Sequence, residues 1–406
     1  MITENYIIKK IPEGYKQTEV GVIPEDWNLV ELKKAINSTQ LGGNYPNSES
    51  ESNFPLIKMG NIGRGNINLN KIEYVLVNEI PKEKDHLHYG DVLFNTRNTL
   101  DLVGKVAIWR NELPIAYYNS NLMRMKFKND FVSSSFYINY LFNSSQSLSQ
   151  LKGFATGTTS VAAIYTRDLL KYKLVLPKLF EQKAIATVLS DTDALIEKME
   201  KLIIKKKAIK QGTMQQLLTG KKRLPGFSGE WKVKKLGEIA EIKKGQLITD
   251  RTRINGSIPV IAGGKALAYY HNKANRRGKT ITVSGSGANA GYVAFHTKPI
   301  FASDCSTIEE SKIYSIEFIY FLLQSLQEKI YKMQTGGAQP HIHPSDLNPI
   351  IVAVPKLEEQ TAIANILSDM DAEIESLEQK RDKYTMLKQG MMQQLLTGRI
   401  RIYANN

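Results

Sequence analysis

Residues Pro177–Gly220 read PKLFEQKAIATVLSDTDALIEKMEKLIIKKKAIKQGTMQQLLTG, and residues Pro355–Gly398 read PKLEEQTAIANILSDMDAEIESLEQKRDKYTMLKQGMMQQLLTG. The two align without a gap at an offset of 178 and agree at 27 of 44 positions; unrelated segments of ordinary composition would agree at about three. This is an internal duplication, and it organises the rest of the chain. Each copy starts just after a proline, which bars helix before it more than after it. Glycine and proline are absent from Lys178 to Gln211 and from Lys356 to Gln389. Apolar residues recur at 3-, 4- and 7-residue steps: Ile185, Leu189, Ile196, Met199 and Ile203 in the first copy, and Ile363, Leu367, Met370, Ile374, Leu377 and Tyr384 in the second. That is a heptad seam flanked by Glu and Lys.

A helix of about 35 residues is about 50 Å long, and one apolar stripe does not hold such a helix in isolation. Either each helix packs on its own domain or the two pair with each other, and the similarity of the copies favours pairing. A parallel pair needs a connection spanning the helix length, which the intervening residues could supply. An antiparallel pair places the divergent segments at opposite ends about a pseudo-twofold axis. Both copies end in Met-Gln-Gln-Leu-Leu-Thr-Gly (Met214 to Gly220, Met392 to Gly398), a glycine stop whose Gln and Leu residues suit either a protein-docking surface or a packed helix end.

Outward from the repeats, a fainter echo opens each half. Pro24-Glu25-Asp26-Trp27 precedes Leu29, Val30 and Leu32, and Gly229-Glu230-Trp231 precedes Val233 and Leu236. The tryptophans lie 204 apart, so the stretch from Trp to the repeat is 150 residues in the first half and 124 in the second. The interiors barely match; the best echo is Gly104-Lys105-Val106-Ala107 against Gly291-Tyr292-Val293-Ala294. The expected organisation is therefore residues 1–176, a first divergent domain; 177–222, a helix; 223–354, a second divergent domain; and 355–406, a second helix. Both divergent segments read as mixed α and β. Strand-like runs are Ile72–Val77, Asp91–Phe94, Val106–Trp109, Thr280–Val283 and Tyr292–Phe295, and helices are expected over Ser135–Leu148 and Ile316–Met333. Each helix runs into a polar glycine-containing loop, Thr156–Ser160 or Thr335–Gln339, and loops on a rigid scaffold commonly carry recognition.

At 406 residues, 42% apolar and 23% charged, the chain has material for two cores and none of the marks of global disorder. No apolar run approaches the roughly 18 residues that span a bilayer, and the opening MITENYIIKK lacks a signal-peptide stretch. The lone Cys305 excludes an internal disulfide and a multi-thiolate zinc site and fits a reducing cytoplasm. A net charge of +14 points to a polyanionic partner. The divergent segments contribute +3 (24–177) and +6 (224–355) and the repeats +6 (178–223) and −1 (356–401), so no single basic tail accounts for it.

Catalytic constellations are not found. Gly264-Lys265 and Gly104-Lys105 have Pro259 and Thr99 where a phosphate-binding loop needs its first glycine. Gly285, Gly287 and Gly291 miss the dinucleotide fingerprint by one residue and read as a strand-flanking loop. Asn348-Pro349-Ile350 does not match the Asn-Pro-Pro-aromatic motif of adenine methyltransferases. The pairs His86/His88 and His341/His343 lack a third metal ligand. Asp26, Glu31 and Lys33, beside Pro24, are better explained by a helix start than by a nuclease site. The residues describe a binder.

The duplicated Pro-Lys-Leu-x-Glu-Gln-x-Ala-Ile-Ala-x-x-Leu-Ser-Asp-x-Asp blocks, each ending Gln-Gly-x-Met-Gln-Gln-Leu-Leu-Thr-Gly, and the openings at Trp27 and Trp231 resemble the specificity subunit of type I restriction–modification enzymes over nearly the whole chain. The unequal divergent domains depart from an even pattern, which touches target sequence rather than class. The resemblance implies a mixed α/β (α+β) fold: two globular target recognition domains separated by two long helices in an antiparallel coiled coil, with pseudo-twofold repetition. It implies that the subunit is not itself an enzyme and reads a split sequence on double-stranded DNA, one half per domain. It further implies docking of two adenine-specific DNA methyltransferase subunits and, optionally, two ATP-driven translocase/endonuclease subunits. S-adenosylmethionine, ATP and magnesium would belong to those partners and no cofactor to this chain. A helix pair about 50 Å long suits two readers spaced about one DNA turn apart, ~34–36 Å.

Lysines and arginines would grip phosphates and a few polar side chains would reach base edges. Candidates are Lys58, Arg64, Arg97, Asn98, Lys105 and Thr159 in the first domain and Lys265, Asn272, Arg276, Arg277, Lys279, Gln339 and His341 in the second. Two other classes fit the residues: a stand-alone DNA-binding protein, which would bind its site without a methyltransferase, and a coiled-coil scaffold, which would show no salt-dependent DNA affinity.

Overall fold

The computed structural model describes residues 11–252 and 254–403. The opening decapeptide read above for targeting, residue 253 and residues 404–406 lie outside the described residues, and with them the outer ends of the first and last sequence segments. Both repeats form single helices of 39 residues, Leu179–Leu217 and Leu357–Leu395. The shared Glu-Gln pair explains how they begin. Gln182 donates to the carbonyl of Pro177 (3.1 Å) and accepts from the amide of Ser133 (3.0 Å); Gln360 does the same with Pro355 (3.0 Å) and Ser315 (3.0 Å). At the other ends Gly220 and Gly398 adopt φ of 69° and 70°, a left-handed turn that favours glycine. There Lys222 N bonds Gln216 O and Ile400 N bonds Gln394 O, as in a Schellman stop. Leu217, Leu218, Leu395 and Leu396 are buried, so the leucines of the shared ending belong to packed helix ends, whereas Gln215, Gln216 and Gln393 are exposed.

The described residues group into two compact units, 11–198 with 381–403, and 199–380, so each unit takes half of each long helix. In the first unit Ile185, Ala186 and Leu189 share a core with Leu395 and Leu396, while Asp193, further along the first helix, meets Lys388 at 2.5 Å. In the second unit Met214, Leu217 and Leu218 share a core with Ile363, Ala364 and Leu367, and Lys210 meets Asp371 at 2.6 Å. Rising numbers on one helix meet falling numbers on the other, so the long helices run antiparallel. The seam residues Ile185, Leu189, Ile203, Ile363, Leu367 and Ile374 are buried, and Ile196, Met199, Met370, Leu377 and Tyr384 partly so.

Each unit is a mixed α/β body built to one plan. In the first, the central antiparallel sheet runs Val106–Ile108, Val92–Asn95, Leu122–Phe127, Ile36–Leu41. In the second it runs Val293–His296, Thr280–Ser284, Cys305–Glu309, Lys243–Lys244. Beside it Tyr117–Tyr118 pairs parallel with Pro55–Ile57, as Phe301–Ala302 pairs with Ile258–Ile261. The strand after each tryptophan, Asn28–Glu31 or Lys232–Lys235, pairs antiparallel with the strand leading into a long helix, Lys173–Leu176 or Ile351–Val354. Each expected helix is broken in two. Ser135–Phe142 is followed by Ser145–Phe154, because Ser144 caps a new start by accepting from Ser147 N. Ile316–Ser325 is followed by Gln327–Lys332, where the Gln327 side chain bonds Val293 N and Gly291 O.

A charge cluster closes each unit around its opening tryptophan. In the first, Arg401 grips Glu181 through two bonds (2.8 and 2.9 Å) and Asp26 through two more (2.8 and 2.9 Å), with its guanidinium 5.5 Å from the Trp27 ring. In the second, Arg223 grips Glu359 through two bonds (2.6 and 2.7 Å), 5.7 Å from the Trp231 ring. Each arginine follows one repeat and binds the glutamate that opens the other.

Candidate nucleic-acid interface

At one end of each central sheet a crown of loops has the same main-chain bonding. Asn95 N bonds Lys105 O (2.9 Å), as Ser284 N bonds Tyr292 O (3.0 Å). The return bonds run from Gly104 N to Asn95 O and from Gly291 N to Ser284 O, at 2.9 and 2.7 Å. Both glycines have positive φ, 76° and 85°, the turn that the faint Gly-x-Val-Ala echo marks in the sequence. Thr96 N bonds Asn121 O and Gly285 N bonds Asp304 O, each at 3.0 Å. Finally the loop after the paired helices docks on the crown. Ile164 N bonds Thr96 O with Ala163 paired to Arg97, and Ile342 N bonds Gly285 O with His341 paired to Ser286. The backbone therefore matches position for position, while the side chains differ: Arg97 against Ser286, Asn98 against Gly287, Lys105 against Tyr292, Asn121 against Asp304, Ala163 against His341.

This crown gathers most of the first unit's candidates. Arg97 and Thr159 are exposed, and the Thr159 carbonyl accepts from Leu100 N, which places the Thr156–Ser160 loop against the segment after Arg97. Asn98 turns its side-chain oxygen onto Thr99 N (2.8 Å). Exposed Arg64 reaches the carbonyl of Asp101 (3.4 Å), and Gly65 N bonds Val106 O, beside Lys105. Lys58 is occupied by Glu73 (2.8 Å) and Asn47 (3.0 Å). In the second unit the Lys265 ammonium lies 5.3 Å from the Tyr292 ring, His341 is paired with Ser286, and Pro340, next to Gln339, accepts from Gly287 N, which places all three candidates at the crown. The other candidates lie away from it. Lys279 sits at the opposite end of strand Thr280–Ser284, paired to Glu317 at 2.5 Å, a bond that raises its pKa. Asn272 and Arg277 are exposed. Arg276 is held by Thr307 Oγ1 (2.9 Å) and the carbonyls of Asn275 and Lys244.

Sequence reasoning missed Ser286, Tyr292, Asn121 and Asp304. The Gly285–Gly291 spacing, which is a strand-flanking loop, brackets Ser286, and the Gly-x-Val-Ala echo includes Tyr292, but no sequence pattern marks Asn121 or Asp304. Ser286 Oγ contacts the Asp304 carboxylate, which has no cationic partner among the described residues. Cys305 lies just below, and burial pushes its thiol up to about 12, so it is an inert packing residue. The carboxylates weighed as a nuclease set are in ion pairs: Asp26 with Arg401, whose hydrogen bonds hold its carboxyl below the usual range, and Glu31 with Lys173 (3.2 Å). Among the described residues no group of three or more His, Cys, Asp or Glu could hold a metal, and no helix is long and apolar enough to cross a membrane.

Two equivalent α/β readers carried on an antiparallel helix pair, each with a matched frame and its own set of polar side chains, define a class of modular recognition protein. The family described as "Type I restriction modification DNA specificity domain" matches residues 24–207 and 228–384, and the chain belongs to that family. It is 27% identical to a protein provisionally described as the MjaX type I restriction enzyme specificity subunit of Methanocaldococcus jannaschii, over 96% of this chain and 97% of that one. It is 25% identical to the type I restriction enzyme MjaVIII specificity subunit of the same organism, over 96% of each chain. The crystal structure of a type I restriction-modification system S subunit from M. genitalium has the same fold, with a TM-score of 0.65 at 16% identity over 95% of this chain and 97% of that one.

Proposed function

We propose that this chain is the non-catalytic sequence-reading subunit of a type I restriction–modification assembly, each unit contacting one half of a split double-stranded DNA target through its crown. The observation that carries the reading is the pair of crowns: identical main-chain bonding presents different side chains, as two readers of different half-sites require. Membership of the specificity family and the basic charge of both divergent segments support it. The long helices are the natural seat for two adenine-specific methyltransferase subunits and, optionally, two translocase/endonuclease subunits, which would bring S-adenosylmethionine, ATP and magnesium. In such an assembly the chain works in the cytoplasm. The test is a genome-wide map of N6-methyladenine in cells with and without the gene. Loss of methylation at one bipartite motif is expected. An unchanged map, together with failure to co-purify with a methyltransferase, would overturn the reading.

A further inference from the structure

Equivalent main-chain positions that hold opposite chemistry say more than that the two targets differ. At the position of Arg97, whose exposed guanidinium makes no hydrogen bond or ion pair with the described residues, the second unit has Ser286. At the position of neutral Asn121 it has the carboxylate of Asp304, contacted by Ser286. An anion in the crown of a basic domain cannot serve a phosphate; against DNA it can only accept from a donor, and the donors on base edges in the major groove are the exocyclic amino groups of cytosine and adenine. A free guanidinium is the complementary tool, with two parallel donors for the paired acceptors O6 and N7 of guanine.

We propose that the two crowns read base edges of opposite polarity: the first unit donates from Arg97 to a guanine, and the second accepts at Asp304 from the exocyclic amino group of a cytosine or adenine. Ser286 is a positioning residue that holds the carboxylate on the crown. Tyr292, with Lys265 over its ring, supplies the neighbouring surface where the first unit has Lys105. The assignment rests on the proposed DNA-reading role and names the chemistry of each half-site.

The test replaces Arg97→Gln and Asp304→Asn separately in the gene, maps N6-methyladenine in each strain, and measures binding of the full-length protein to duplexes carrying every single-base change in the wild-type motif, across a salt series. In wild type, replacing the guanine opposite Arg97 should weaken binding about five- to a hundredfold, as for loss of a bidentate base contact. R97Q should abolish that discrimination in one half-site alone, leaving the other half-site and the salt slope unchanged. D304N should relax a cytosine or adenine position in the other half-site alone. Uniform weakening by R97Q with a salt slope reduced by about one would make Arg97 a phosphate contact and overturn the proposal. So would variants that keep the wild-type motif and discrimination. In that case the wild-type map would still show a bipartite motif, so the failure would leave the proposed function standing. A wild-type gene that confers no motif would remove both.

Discussion

The charge clusters under Trp27 and Trp231 are the same device with different surroundings. In both, a bidentate arginine neutralises a glutamate that is 0% exposed (Glu181) or 2% exposed (Glu359). Around Glu181 the cluster is complete: Trp27 Nε1 donates to it (3.1 Å), and Asp26 takes the remaining face of Arg401. Around Glu359 it is open: Trp231 Nε1 finds no partner among the described residues, and the free arm of Arg223 goes to the carbonyl of Gly229 (2.7 Å). The duplication retained the arginine–glutamate pair, which a buried carboxylate cannot do without, and released everything that merely assists it.

The largest expected effect comes from breaking that pair. Arg401→Met should lower the stability of its unit by about 3–5 kcal/mol, because Glu181 is left buried and unpaired beside Asp26. Adding Glu181→Gln should recover most of the loss, since the amide oxygen still accepts from Trp27. The matching pair, Arg223→Met followed by Glu359→Gln, should show poorer recovery, because Trp231 Nε1 is not bonded to Glu359 and the new amide oxygen has no ring N–H already in place. Urea unfolding of the four variants measures this, and equal recovery would erase the distinction between the clusters.

A smaller effect separates the glycine stops. Alanine at either must enter the left-handed region at about 1–2 kcal/mol. At Gly220 the new Cβ would rest 3.4 Å from the Trp231 ring, an accommodating contact, whereas at Gly398 it would collide with the Pro24 ring. Gly398→Ala should therefore lower the urea midpoint distinctly more than Gly220→Ala.

These contrasts show what could be read along the chain. The helices were legible because their copies keep one offset, 178, and a heptad seam whose apolar residues mark the packed face. The divergent segments were not, although they share one fold. Between structurally equivalent residues the offset falls from 204 (Trp27 to Trp231) through 189 (Asn95 to Ser284) and 183 (Asn121 to Asp304) to 178 (Ile164 to Ile342). What is preserved is main-chain bonding, which leaves no side-chain trace except where a turn demands glycine, at Gly104 and Gly291. For the same reason charge along the sequence does not separate crown residues from the rest. Charge picks out Arg97 and Lys265, but it equally picks out Arg276 and Lys279, which internal partners hold, and it passes over Asp304. The partners of Arg401 and Arg223 lie 220 and 136 residues away, and nothing local in either stretch marks them.

The smallest contrast is in pH response. Counting from the paired strands, Trp109 of the first unit stands where His296 stands in the second. His296 Nε2 lies 2.9 Å from Thr282 Oγ1, and burial holds its pKa below the ordinary 6.5. The unfolded chain takes up a proton as pH falls through 6.5, and the folded unit resists until lower pH. Stability tied to this residue is therefore complete above 6.5, declines as pH falls below it, and levels off beneath the folded value. Trp109 does not titrate, so the first unit has no such slope at this position. Hydrogen exchange, corrected for intrinsic rate, should show protection of Thr280–Ser284 declining from pH 7 to pH 5 relative to Val92–Asn95. His296→Gln, which keeps a polar partner for Thr282 and cannot be protonated, should bring the two profiles together. If the gap between the strands keeps its pH dependence in that variant, the slope belongs to other groups of the second unit and His296 is only a packed neutral side chain.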